Sequence, residues 1–406
     1  MDGSVASSGG SSTGPQPATP VFSATTAVAA CLSFVLIGAL TAFYGPLIPI
    51  FEVRYGLEPS AAAAVFSAHA VGALIGVLAA SQALRVLTNR SFLGASLAIL
   101  AVGFLVFAAA PAWWVVLVGA GILGFGFGAL DLGVNQLFAY SFGARAGTML
   151  NVLNGVYGIG AVAGPLLVAA VAPGGIGPLY LGCAVFAAIL IVPLRRVRGD
   201  GTPSDGKGTS AAGRTGGRGV ALTVGLFAIA YMLYVGVESG VGGWEPSHLA
   251  ALGMSAAAAS SATSAFWLGL TAGRFLIAPV ALRVRPARIV LTSIAAGIVT
   301  LGLATIPGLA PIAYAATGLV IAPIYPTGIA WLAGATPGRR TPTVYLVGAS
   351  MIGAAVFPPL VGLAIQDVGT AVTPVALAIL AIGSAAAFAG VALTGRRLRG
   401  APGSSR

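Results

Sequence analysis

The chain has 406 residues, 57% of them hydrophobic and only 7% charged, with a mean hydropathy of +0.98. Roughly a quarter of the residues in a soluble globular domain are charged, so this composition excludes one and points to a polytopic membrane protein. The formal net charge of +11 would suggest a nucleic-acid partner on a soluble fold. Here the basic residues flank apolar runs, so they read as determinants of orientation in a lipid bilayer, and no nucleic acid is expected.

Apolar runs long enough for a hydrocarbon core of ~30 Å predict an all-α membrane protein with twelve transmembrane helices. They fall roughly at 24 to 50, 61 to 84, 92 to 109, 113 to 140, 148 to 171, 178 to 194, 219 to 240, 255 to 282, 289 to 307, 309 to 334, 343 to 366 and 374 to 394. With both termini cytoplasmic, eighteen of the twenty Lys and Arg residues lie on the inner side, the exceptions being Arg54 and Arg274. That bias is the positive-inside signature, and the expected location is the plasma membrane (the cell inner membrane). Residues 1 to 22, rich in Ser, Gly, Pro and Thr and without a basic n-region, read as a disordered cytoplasmic tail rather than a secretion signal. Cys31 and Cys183 sit in apolar runs and indicate no disulfide framework.

Span one contains Gly45, Pro46 and Pro49, which predict a local kink near its outer end. Span two holds His69 on a small-residue face, where a hydrogen-bonded packing role competes with a proton-carrying one. The segment ALRVLTNR from Ala83 is echoed by ALRVRPAR from Ala281, and GIGAVAGPLL in span five by IGAAVFPPLV in span eleven. Two echoes at nearly equal offsets predict two six-helix bundles of common plan, over 23–194 and 219–395. Residues 195–218 form the cytoplasmic linker between them, and 396–406 a basic cytoplasmic tail.

Span four, WVVLVGAGILGFGFGALDLGVNQLFAY from Trp113, carries Asp131 with Asn135 one helical turn on. A charge in lipid costs at least ~2.5 kcal/mol on insertion scales, so such groups face a bundle interior or a wet cavity and often serve a transport pathway. Its Gly124, Gly126 and Gly128 read as a face for close helix packing rather than a nucleotide loop. The linker run Gly201 to Gly208 resembles a phosphate loop, but Gly208 stands where a hydroxyl would hold magnesium and no strand precedes it. No hydrolase or metal constellation is present, so no enzyme activity, metal or cofactor is expected.

In span seven, Gly236, Gly240, Gly242 and Gly243 crowd Glu238, predicting that the helix loosens or ends there. Trp244 follows, as an interfacial belt residue or a platform for a substrate, and His248 reads as outer loop. Arg274 of span eight is too deep for easy escape to water and needs a carboxylate partner or serves as an anchor. In span ten Pro323 and Pro326 flank Ile324 and Tyr325, a second broken segment with Tyr325 and Trp331 as cavity linings.

The joint order of GALDLGVNQLF, GTMLNVLNGVYGIGAVAGPLL, YVGVESGVGGW, AGRFLIAPVALRVRPARIV, IYPTGIAW and IGAAVFPPLVG resembles the major facilitator superfamily and, within it, the fucose/galactose/glucose proton symporter group. The resemblance implies that Asp131 with Asn135, and Asn151 with Asn154, line a central cavity. At the position matching that group's essential acidic residue in span one stands Ala42, and Glu238 replaces an amide of the fucose branch.

The expected function is secondary active transport of a small polar solute, sugar-like by resemblance and coupled to a proton, through alternating access by a monomer. Candidate substrate-binding or coupling residues are Asp131, Asn135, Asn151, Asn154, Glu238, Trp244 and Tyr325; Arg274 and His69 are structural or coupling residues. Asp131 is either a proton carrier or an ion-pair partner of Arg274. An exporter of drugs or metabolites, which needs a larger apolar cavity, and a non-transporting receptor or scaffold are the alternatives.

Overall fold

The computed structural model describes residues 21–142, 145–199, 218–336 and 341–400, nearly all of them helical. Most of the 1–22 tail, the linker run Gly201 to Gly208 and the end of the 396–406 tail lie outside the described residues.

Twelve helical spans follow in order: α1 (Ala24–Tyr55), α2 (Ala64–Val86), α3 (Asn89–Ala108), α4 (Trp113–Ser141), α5 (Ala146–Val171) and α6 (Gly177–Leu194), then α7 (Arg218–Ala251), α8 (Ala256–Leu276), α9 (Pro286–Leu303), α10 (Ala310–Ile321 continued by Ile324–Ala335), α11 (Thr341–Val368) and α12 (Thr373–Gly400). Among the described residues eleven of them are long and apolar enough to cross a membrane. The twelfth, α8, has the length, but Ser260, Ser261, Thr263, Ser264, Thr271 and Arg274 dilute its apolar character. Ends are set by local chemistry. Ser23, Thr88 and Ser255 accept the backbone N–H three residues on at the starts of α1, α3 and α8. Gly56 closes α1 at φ 64°, a left-handed conformation that glycine adopts without strain.

Pro46 and Pro49 lie inside α1, which stays helical to Tyr55. α10 is interrupted at Ala322 and Pro323, as the Pro-flanked segment predicts. Span seven departs from expectation: α7 does not loosen at Glu238 but runs unbroken to Ala251. Its glycines serve packing instead. A Cβ at Gly236 would overlap the Phe357 ring, one at Gly240 Leu377, one at Gly242 Trp267 and one at Gly243 Phe66. Four neighbours therefore lie against a single helix where it has no side chains.

The two halves are built by the same close crossings. In the first, α2 and α4 approach so nearly that a Cβ at Gly72 would overlap the Gly121 carbonyl, and at Gly124 the His69 carbonyl. The second repeats this between α8 and α10, where Gly318 faces the Phe266 carbonyl and Gly273 that of Leu319. Likewise Gly160 of α5 rests on the Val35 carbonyl of α1, and Gly353 of α11 on the Met232 carbonyl of α7. Gly160 and Gly353 lie within the echoed segments GIGAVAGPLL and IGAAVFPPLV, so that echo in sequence is a repeat of backbone contacts. The protein is an all-α membrane protein of two six-helix bundles, α1–α6 and α7–α12.

Across the interface α2 packs on α11, α1 on α7 and α5 on α8. Both hydrogen bonds between the halves, among the described residues, lie at one end: Ser67 Oγ to the Ala355 carbonyl, and Ser60 Oγ to Gln366 Oε1 at 3.0 Å. There Gly45 also abuts the Gly242 carbonyl, and a Cβ on Gly362 would stand 2.9 Å from Ser60 Cα. This end is closed by backbone against backbone.

Candidate functional site

Midway between the halves, α1, α4, α5, α7, α8 and α10 bring polar side chains toward one another. On α4, Asp131 and Asn135 are four residues apart and therefore on one face. The Asn135 amide donates to Asp131 Oδ1 and to the Asp131 carbonyl, each at 3.0 Å. α5 contributes Tyr157, whose hydroxyl donates to Thr41 Oγ1 of α1 at 3.0 Å. Thr41 in turn donates to the Ile37 carbonyl, so this pair is fully used within the first half.

From the second half α7 presents Glu238, again held by a neighbour one turn away: the Tyr234 hydroxyl donates to Glu238 Oε2 at 2.6 Å. On α8, Arg274 Nη2 stands 3.7 Å from Glu238 Oε1. Their side chains are 30% and 18% exposed, so the pair borders open space rather than sealed core. The Tyr231 hydroxyl donates to the Tyr325 carbonyl at 2.6 Å and fixes the backbone just past the α10 break. Most telling is the reach of two phenols. Tyr157 of the first half and Tyr325 of the second each lie in electrostatic range of Asp131, Glu238 and Arg274. Three charged groups and two phenols from both bundles thus share one neighbourhood.

Asn151 and Asn154 lie on the stripe of α5 that continues through Gly155 and Gly158, which approach Phe275 and Thr271 of α8. Both asparagines are exposed, and the Asn154 amide donates to the Leu150 carbonyl at 2.9 Å. They therefore edge the space between the halves on the side away from the closed end.

Trp244, His248 and His69 stand apart from this cluster. Trp244 is not a belt residue: it is 0% exposed, and Nε1 donates to the Pro358 carbonyl at 2.9 Å. An indole N–H buried in protein needs such an acceptor, whereas one at the headgroups would find water. His248 is not in a loop; it occupies the last turn of α7, buried, with Nδ1 2.9 Å from the Tyr314 hydroxyl. His69 pairs through Nδ1 with the Tyr44 hydroxyl at 2.9 Å and packs on Phe127, away from the central cluster. Arg274 takes Glu238 as its partner, and among the described residues Asp131 has no ion-pair contact. Tyr157, Tyr234 and Thr41 were not singled out by sequence. Tyr234 carried a signal, since it precedes Glu238 by the four residues that align two side chains on a helix.

Residues 30–225 match the family model of the Major Facilitator Superfamily. The fold is that of the major facilitator superfamily. Solved structures of similar shape include the nucleoside transporter NupG, with a TM-score of 0.73 at 15% identity over 91% of this chain and 98% of that one. A mutant form of NupG gives 0.74 at 16% identity, covering 90% and 99%. A bacterial homolog to the human lysosomal transporter Spinster, in an inward-facing and unoccupied conformation, gives 0.73 at 14% identity, covering 93% and 98%. No curated protein matches the chain by sequence. At such identities the likeness to these structures is one of major facilitator fold.

Proposed function

We propose that the protein is a secondary active transporter that moves a small polar solute across the membrane by alternating access, coupled to protons. The observation that carries this reading is the convergence of Tyr157 and Tyr325, from opposite bundles, on Asp131, Glu238 and Arg274. A solute gripped by both bundles at once is released when they rock apart, and a midplane site between repeats is where such rocking changes access.

The chemistry of the lining suits a polyhydroxyl compound. Carboxylates, a guanidinium and asparagine amides offer directional donors and acceptors, while the phenols offer flat apolar faces with a polar tip. A sugar-like solute matches the resemblance to the fucose/galactose/glucose proton symporters, and the nucleoside transported by one structural neighbour also carries a sugar ring. A proton gradient is the proposed energy source, with the carboxylates Asp131 and Glu238 as the groups able to load a proton. The positively charged loops belong at the cytoplasmic face of a plasma membrane. With that orientation the closed end would face outward, and we read the protein as a monomer that opens toward the cytoplasm.

The test is ligand-induced thermal stabilisation of the purified protein by sugars, polyols, nucleosides, amino acids and lipophilic cations. A stabilising compound is then followed into liposomes under an imposed pH gradient. Stabilisation by a polar solute that accumulates with the gradient is the expected result. Stabilisation by lipophilic cations alone overturns the polar-solute reading, and accumulation indifferent to the gradient overturns the coupling.

A further inference from the structure

Glu238 is not the only carboxyl on α7. Seven residues on, about 10 Å along the helix axis, Glu245 is 0% exposed. Neither of its carboxyl oxygens has a hydrogen-bond partner, and among the described residues it has no ion-pair contact. The hydroxyl of Thr263 on α8 lies close enough to act on the carboxyl, yet it donates at 3.4 Å to the Ala259 carbonyl. On α10, Tyr314 lies in electrostatic range of Glu245 and is bonded to His248, one turn further along α7. Ser247 Oγ, Ser264 Oγ and Trp267 Nε1 are likewise buried without partners. On the other flank α1, α2 and α11 bring Tyr44, Glu52, His69 and Asp367 to this end of the bundle. None of them is in hydrogen-bond or ion-pair contact with Glu245.

An isolated charge in such surroundings loses its hydration without compensation, and a carboxyl in that position keeps its proton instead. What sets this carboxyl apart is its place. The three residues before it form the closed end: Gly242 abuts Gly45 of α1, Gly243 abuts Phe66 of α2, and Trp244 is bonded to the Pro358 carbonyl and packed under Gly362. The carboxyl itself turns toward Thr263 of α8 and Tyr314 of α10 within its own bundle, one residue beyond the contact that closes this end.

We propose that Glu245 is an occluded proton-binding site whose occupancy is tied to closure of this end of the bundle. It is protonated while α1 and α2 lie on residues 242–244 and ionised, its proton released to the entering water, once they separate. Water returns the proton before the end can close again. The inference rests on the reading that the halves separate here, but not on the identity of any solute.

Infrared difference spectroscopy of wild type against Glu245→Gln, in lipid and without solute, tests it. The wild type is expected to show a protonated-carboxyl C=O stretch at neutral pH that Glu245→Gln lacks and that vanishes as pH rises. In parallel, thiol labelling of Ser60→Cys, with Cys31 and Cys183 replaced, is expected to rise several-fold over the same pH interval in the wild-type background and to stay flat with Glu245→Gln. Should Glu245→Gln fail to fold, Glu245→Asp retains the carboxyl and is expected to shift the band. A carboxylate stretch at neutral pH overturns the proposal. So does loss of the C=O band on adding sodium at constant pH, which marks a cation site, and so does labelling that ignores the titration. Because neither readout involves uptake, absence of transport activity leaves the result intact and counts against the transporter reading alone.

Discussion

Arg274 Nη2 stands 3.7 Å from Glu238 Oε1, and the other oxygen of that carboxylate accepts from the Tyr234 hydroxyl at 2.6 Å. The guanidinium thus finds its counter-charge inside its own bundle, across α7 and α8, and among the described residues the Asp131 carboxyl on the facing bundle is hydrogen-bonded to Asn135. Under the proposed rocking of the two halves, a pair held within one half would travel with that half and no ion pair would have to break.

Removing both members of the pair should therefore cost less than the two single losses added together. Glu238→Gln leaves Arg274 without a counter-charge in partly dry surroundings, at a cost of about 1–3 kcal/mol, between the surface and buried limits. Arg274→Gln is expected to cost a similar amount, and the double substitution less than the sum of the two. Thermal unfolding of the three variants measures this. Strictly additive losses would mean that the contact contributes nothing.

Closure of the far end depends on glycine. A Cβ on Gly45 would overlap the Gly242 carbonyl, and because that obstacle is backbone no rotamer change relieves it. Gly45→Ala should hold the end apart, raising thiol labelling at Ser60→Cys several-fold and lowering transport at least tenfold. Gly174, with open space about its Cβ position, is the control, and Gly174→Ala should change neither. Unaltered labelling in Gly45→Ala would remove the close approach from the account.

Trp244→Phe separates packing from hydrogen bonding at the same end. The smaller ring leaves the Pro358 carbonyl without its donor in a buried position, a loss of about 1–3 kcal/mol. The expected readout is a lower Tm, together with easier labelling of the closed end. A variant as stable as wild type would return Trp244 to a simple apolar contact.

Much of this architecture is legible from the chain. Hydropathy places the spans, the two echoes announce the repeat, and the Gly124 to Gly128 run is a packing face, as the backbone contacts of α2 and α4 bear out. What misleads is glycine in α7. Gly236 to Gly243 carry the composition of a loosened helix, and only the rings of Phe357, Trp267 and Phe66, from distant parts of the chain, reveal that the missing side chains are filled from outside. The same pattern points Trp244 to a headgroup belt and His248 to an outer loop, because a helix that ends near Glu238 could not bury them. Pairing is likewise a tertiary fact. Sequence shows that Arg274 needs a carboxylate, but the choice of Glu238 over Asp131 depends on α7 and α8 being neighbours in one bundle. The central site is legible as a list of polar residues and not as a geometry, since only the packing of two halves brings Tyr157 and Tyr325 to the same charged groups.

Asp131 offers the sharpest separation of binding from coupling. Its Oδ1 accepts from Asn135 at 3.0 Å, and Asp131→Asn keeps an acceptor of the same shape there while abolishing the ability to carry a proton. Exchange of solute between two equal pools, which needs no net proton movement, should persist in this variant within about twofold, since the hydrogen-bond inventory of the site is nearly preserved. Accumulation driven by a pH gradient should fall to simple equilibration. Asn135→Ala is expected to behave the opposite way round, weakening solute exchange through a misplaced Asp131 while leaving some gradient-driven uptake. If Asp131→Asn still accumulates solute and Glu245→Gln does not, the coupling proton resides at the closed end of α7 and Asp131 belongs to solute recognition.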